Sequence, residues 1–134
     1  MDIDDEKEML EFFEEECMNE DLKKGINWFL TRKGWLWCDT RVSKGSCINF
    51  PNMIRLCTKF CIYPQDWEMH INYDLDNKTW NLDVDICGVM RRLENGHYQK
   101  GLSMKGYKDF DSFLKDFQPK LMRWYRARKK EVEK

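Results

Sequence analysis

The sequence predicts an α+β fold, in which an antiparallel β-meander is covered on one face by an N-terminal and a C-terminal helix. Three observations lead there. Apolar residues recur at helical spacing near both ends of the chain, over residues 3–17 and 109–130. They alternate with period two through its middle, most clearly over residues 67–86. Strands and helices fall in separate blocks rather than in βαβ alternation, which favours α+β over a parallel α/β sheet. The chain has 134 residues, enough for one domain with its own core, and its 42% hydrophobic and 14% aromatic content argues against disorder.

The first element expected is a helix from Ile3 to Cys17. Ile3, Met9, Leu10, Phe13 and Cys17 share one stripe at 100° per residue, and Asp4, Glu8, Glu11 and Glu15 occupy the opposite side. Asn19-Glu20-Asp21 suits the start of a second helix, to about Lys33, with Gly34 as its stop. Trp35 to Val42 is then expected as a strand, Ser43–Ser46 as a turn, and Cys47–Phe50 as its return. Pro51 fits the first turn of a short helix burying Met53, Cys57, Phe60 and Cys61, closed by Pro64.

Residues 67–86 carry the most specific expectation. A turn at 75–78 pairs positions whose numbers sum to 153, so Trp67, Met69, Ile71 and Tyr73 face Ile86, Val84, Leu82 and Trp80 on one side. The other side pairs Glu68 with Asp85, His70 with Asp83, Asn72 with Asn81 and Asp74 with Thr79. A slip of one residue would expose the whole apolar set, so the register is strongly specified. Beyond Gly88, Asn95-Gly96 is a strong hairpin signal, expected to pair Val89–Leu93 with Tyr98–Met104. The sheet would thus run from about residue 35 to 104 and end at Gly106. A last helix, capped by Asp109 or Asp111, buries Phe110, Phe113, Leu114, Phe117, Leu121, Trp124 and Tyr125 and continues in phase past Pro119. Lys115, Arg123, Arg126 and Lys130 line its outer side.

Charge is sorted by position. Residues 1–21 hold eleven carboxylates against one Lys, net −10, and residues 22–134 hold 22 basic against 13 acidic groups, net +9. No apolar run is long enough to span a membrane, and the acidic start is unlike a basic signal peptide, so a cytoplasmic location is expected. The six cysteines are accordingly expected as free thiols.

Motifs that would declare a chemistry are missing: the chain contains no phosphate-binding GxxxxGK[ST], GxSxG, HExxH or CxxC. His70 opposite Asp83, flanked by Glu68 and Asp85, is the best place for an acid–base or metal-dependent enzyme. Against that, polar residues are what the open face of an antiparallel sheet ordinarily carries. Cys57 and Cys61, four apart on the expected helix, are a possible thiolate pair, but buried cysteine more often acts as a small hydrophobe. No catalytic residue, metal or cofactor is therefore assigned.

The acidic row Asp4, Glu8, Glu11 and Glu15 carries the leading expectation: a non-enzymatic binding protein, an inhibitor or regulator, that engages a basic surface of a protein partner such as a nucleic-acid-handling machine. Trp35 and Trp37, on one face of their strand, are candidate interface anchors. The alternative is a nucleic-acid binder using Lys115, Arg123, Arg126 and Lys130. No membrane partner is expected, and the sequence does not decide the oligomeric state.

Overall fold

In a computed structural model, the chain is described over residues 2–3, 19–31, 38–48, 50–88, 90, 92–94, 96 and 98–132, with only the backbone at 2–3 and 38–39. Its elements are β1 (Asp2–Ile3), α1 (Glu20–Thr31), β2 (Cys38–Gly45), β3 (Met53–Ile62), β4 (Gln65–Asp74), β5 (Thr79–Ile86), β6 (Leu102–Tyr107) and α2 (Phe110–Val132). The strands form one six-stranded sheet in chain order, every pair antiparallel. The two helices pack on its apolar face. The architecture is thus the expected α+β meander covered on one side.

The β4–β5 hairpin has the register read from the sequence, from Trp67↔Ile86 to Asp74↔Thr79. Trp67, Met69, Ile71, Tyr73, Trp80, Leu82 and Val84 are buried, whereas Asp83 and Asp85 are exposed. Lys78 takes a positive φ of 55° in the turn. Asp74 steadies that turn by accepting from the backbone N–H of Asp76 at 3.1 Å and from Asn77 Nδ2 at 2.8 Å.

Four expectations change in the assembled sheet. The short helix placed after Pro51 is β3, a strand flanked by β2 and β4. Ile54, Leu56, Thr58, Phe60 and Ile62 are buried, and this alternation prevails over the helical spacing of Met53, Cys57, Phe60 and Cys61. The turn placed at Ser43–Ser46 lies later, because β2 runs on to Gly45, opposite Met53. Cys47 and Phe50 do bond each other's backbones, at 2.9 and 3.2 Å, as a loop closure rather than a return strand. The sheet also starts earlier than expected, since Asp2 and Ile3 pair with Ser43 and Val42 as a strand. The rest of the acidic helix expected over 3–17 lies outside the described residues.

The fourth change concerns the last strand. β6 pairs directly with β5, with Val84↔Leu102 and Leu82↔Met104, instead of returning on a strand at 89–93. Near the Asn95-Gly96 signal, Gly96 N–H donates to the Leu93 carbonyl at 2.9 Å. That loop folds onto the C-terminal half of α2. Gln99 Nε2 donates to the Arg128 carbonyl at 3.0 Å, and Trp124 Nε1 donates to the Lys100 carbonyl at 2.7 Å. Gly106, expected to end the sheet, lies inside β6 with a φ of 77°, where the register shifts, and its N–H donates to Asn81 Oδ1 at 2.9 Å.

The core is aromatic. Trp80 lies 4.9 Å from Tyr73 and 5.0 Å from Phe110, ring centre to centre, and Trp124 crosses Trp67 edge-on at 4.9 Å. Burying each such side chain contributes about 1.5–3 kcal/mol. Asn19 caps α1 by accepting from Asp21 N–H at 2.8 Å and Leu22 N–H at 3.2 Å, and Asp109 caps α2 through Ser112 N–H at 2.7 Å. Gly25 lets α1 approach the sheet: a Cβ there would lie 2.2 Å from Trp80 Cη2. α2 is continuous past Pro119, which is exposed, and its apolar stripe packs inward as expected. No described helix is long and apolar enough to cross a membrane.

Candidate functional site

The polar side of the sheet assembles side chains from strands far apart in sequence. One cross-strand row reads Cys57, His70, Asp83 and Ser103, on β3, β4, β5 and β6. The next reads Lys59, Glu68 and Asp85, and on the other side Arg55 meets Asn72 and Asn81. Arg55 Nε donates to Asn72 Oδ1 at 2.9 Å.

At the centre of this face Glu68 Oε1 receives two partners. His70 Nε2 lies 2.8 Å from it, and the Cys57 thiol donates to it at 3.2 Å. His70 and Asp83 are cross-strand neighbours as expected, but the carboxylate that bonds the imidazole is Glu68, on its own strand. Cys57 joins them because 53–62 is a strand. It then faces His70 directly, which a helix would not allow. Only the alternation Ile54-Leu56-Thr58-Phe60-Ile62 could have revealed this in the sequence.

The same correction dissolves the Cys57–Cys61 pair. Four residues span about 6 Å along a helix but about 13 Å along a strand, too far for one ion.

The electrostatics of the three groups are coupled. Burial, and then the hydrogen bond to Glu68, push the Cys57 thiol up to about 12. Burial opposes ionisation of Glu68, but the hydrogen bonds from His70 and Cys57 outweigh it and hold the carboxyl below its usual range. Asp83 is exposed, but partial desolvation by the surrounding side chains and then the neighbouring Asp85 carboxylate raise it.

This arrangement is a poor catalytic triad. A Cys–His nucleophile needs the imidazole between thiol and carboxylate, so that the ring can take the thiol proton. Here the carboxylate oxygen stands between them, and the thiol is protonated at neutral pH. As a donor set, however, the cluster offers one sulfur, one nitrogen and one oxygen, all within 4.8 Å of one another.

The basic row of the alternative reading is displayed on α2. Lys115, Arg123, Arg126 and Lys130 are all exposed. None of the four pairs with a carboxylate among the described residues. Asp4, Glu8, Glu11 and Glu15, and Trp35 and Trp37, lie outside the described residues. A cavity of about 210 Å³ opens between the β3–β4 turn and the end of α2, lined by Tyr63, Pro64, Arg92, Leu93, Glu94, Glu131 and Val132. It is smaller than the ~300–1,000 Å³ usual for small-molecule sites.

No family model, curated protein or solved structure matches the chain.

Proposed function

We propose that the chain is a non-enzymatic binding protein that engages a basic surface of a protein partner through its acidic N-terminal stretch, as an inhibitor or regulator of, for example, a nucleic-acid-handling machine. The segregation of charge carries this reading: net −10 over residues 1–21 against net +9 over 22–134. Eleven carboxylates in 21 residues exceed what solubility asks for, and such a density steers association with cationic surfaces.

One structural feature supports it. The acidic stretch is flanked by anchored residues, with Asp2 and Ile3 in the sheet on one side and the Asn19 cap and Asp21 on the other. Anchoring lowers the entropy lost on binding.

The exposed row Lys115, Arg123, Arg126 and Lys130 also supports a second reading, binding of nucleic acid through phosphate contacts. One experiment separates the two. Tagged wild-type protein, a Glu8/Glu11/Glu15→Lys variant and an Arg123/Arg126/Lys130→Glu variant are compared for protein partners captured at low and raised salt, and for retention of labelled RNA and DNA. The acidic reading expects the first variant alone to lose its protein partner, and the wild-type capture to weaken with salt as exposed charges are screened over ~8–10 Å. Loss of RNA or DNA retention in the second variant, with protein capture intact in the first, replaces it with the nucleic-acid reading.

A further inference from the structure

We infer that Cys57, Glu68 and His70 form a site for one zinc ion on the polar face of the sheet, with the fourth coordination position left to water. The cluster joins three different donor types, a thiol, an imidazole and a carboxylate, with ligand atoms already within 4.8 Å of one another. Tetrahedral zinc with bonds of ~2.0–2.3 Å spaces its ligands roughly 3.3–3.8 Å apart. The present separations of 2.8 Å (His70 Nε2 to Glu68 Oε1) and 3.2 Å (Cys57 Sγ to Glu68 Oε1) lie just below that range. Small side-chain rotations would open these two contacts to that spacing.

The scaffold suits such a site. All three residues stand on β3 and β4, each flanked by further strands, and Cys57 and His70 are direct cross-strand partners. Ligands on paired strands are held more precisely than ligands on loops. The side chains of His70 and Glu68 are 19% and 31% exposed, which leaves access for an ion while limiting competition from solvent. Asp83, across from His70 on β5, adds negative potential beside the ring.

Donor chemistry selects the metal. Magnesium and calcium take oxygen ligands, and one carboxylate among a sulfur and a nitrogen is a weak set for them. A mixed thiolate, imidazole and carboxylate set fits zinc. Without metal, the thiol and the imidazole converge on the same carboxylate oxygen. Zinc takes the place of that hub. The Cys57 S–H bond breaks, its proton leaves to solvent, and the sulfur electron pair forms the Zn–S bond. His70, whose Nε2–H faces Glu68 in the free chain, gives that proton to solvent and takes one up at Nδ1, so that the Nε2 lone pair ligates the ion.

The test is direct titration of the full chain with Zn²⁺ by calorimetry, and with Co²⁺ by absorption spectroscopy, under reducing conditions. One equivalent of Zn²⁺ is expected to bind, and Co²⁺ is expected to give a thiolate-to-cobalt charge-transfer band that Zn²⁺ then abolishes. Cys57→Ser and His70→Ala should each weaken binding by at least ~100-fold, the upper end of what loss of a mere supporting residue costs. Cys61→Ser, on the same strand but about 13 Å away, should bind like wild type. Circular dichroism checks that each variant is folded, and the cobalt spectrum shows whether a thiolate is among the ligands. A cobalt complex lacking the thiolate band, no binding at all, or binding unchanged in folded Cys57→Ser protein overturns the site.

Discussion

Three residues show how single side chains acquire roles from their surroundings. Asp21 lies near the start of α1, yet its carboxylate accepts from Trp80 Nε1 at 2.8 Å and from the Phe110 backbone N–H at 3.0 Å. It thereby ties α1 to β5 and to the first turn of α2. Asp21→Ala leaves a buried indole N–H without its partner and should cost about 1.5–3 kcal/mol, measured by denaturant unfolding. A double-mutant cycle with Trp80→Phe should show the two losses to be less than additive. Gly25 looks like a weak point in a helix, and alanine is the better helix former by about 1 kcal/mol. Because its Cβ would lie 2.2 Å from Trp80 Cη2, Gly25→Ala should nevertheless destabilise, by about 1–3 kcal/mol. Equal or greater stability of the alanine variant would show that the ring yields freely. Asp83 keeps its proton to a higher pH in the folded chain than in the unfolded one, owing to partial desolvation by its neighbours and to the Asp85 carboxylate. Its contribution to stability therefore falls as pH rises from the unfolded value through the raised folded one. Asp83→Asn should raise the melting temperature at neutral pH and leave it unchanged below the ~3.9 of an ordinary Asp.

Among the elements, the β4–β5 hairpin was fully legible, because its apolar positions lie on one side and its turn residues sit between two alternating runs. The two faces make opposite predictions. Leu82→Ala should cost about 2–5 kcal/mol by opening a cavity, and Asp85→Ala should stay within about 0.5 kcal/mol of wild type. Comparable losses by both would contradict the facing of the hairpin. β3 was misread as a helix because apolar side chains occur at both parities near its start, where Met53 and Ile54 are both buried. A short run of this kind satisfies either period until its neighbours are known. At the expected Asn95-Gly96 hairpin, Gly96 N–H bonds the Leu93 carbonyl, but the chain from Leu102 pairs with β5, and Gln99 and Lys100 bond α2. α2 was legible throughout, including its passage of Pro119, because seven apolar residues keep one phase over many turns.

For the whole molecule, the asymmetry of charge remains the dominant feature, and stability measurements can separate its meanings. If the acidic stretch served to shield α2, the Glu8/Glu11/Glu15→Lys and Arg123/Arg126/Lys130→Glu variants would each lower the melting temperature, and the sixfold variant would restore it. The binding reading expects both triple variants to melt close to wild type, because Arg123, Arg126 and Lys130 are exposed and lack acidic partners among the described residues.

The sequence alone determined the α+β class, the register and facing of the central hairpin, the long last helix and the segregation of charge. All of these are written in the periodicity or composition of contiguous residues. Only the tertiary structure decided that 53–62 is a strand, that β6 pairs with β5, that Gly25 is required by a tryptophan 55 positions away, and that Cys57 stands beside Glu68 and His70. The physical reason is common to the four. Each depends on which surfaces are buried against each other, and a local pattern that fits two periods or two partners is settled only by the element that comes to cover it.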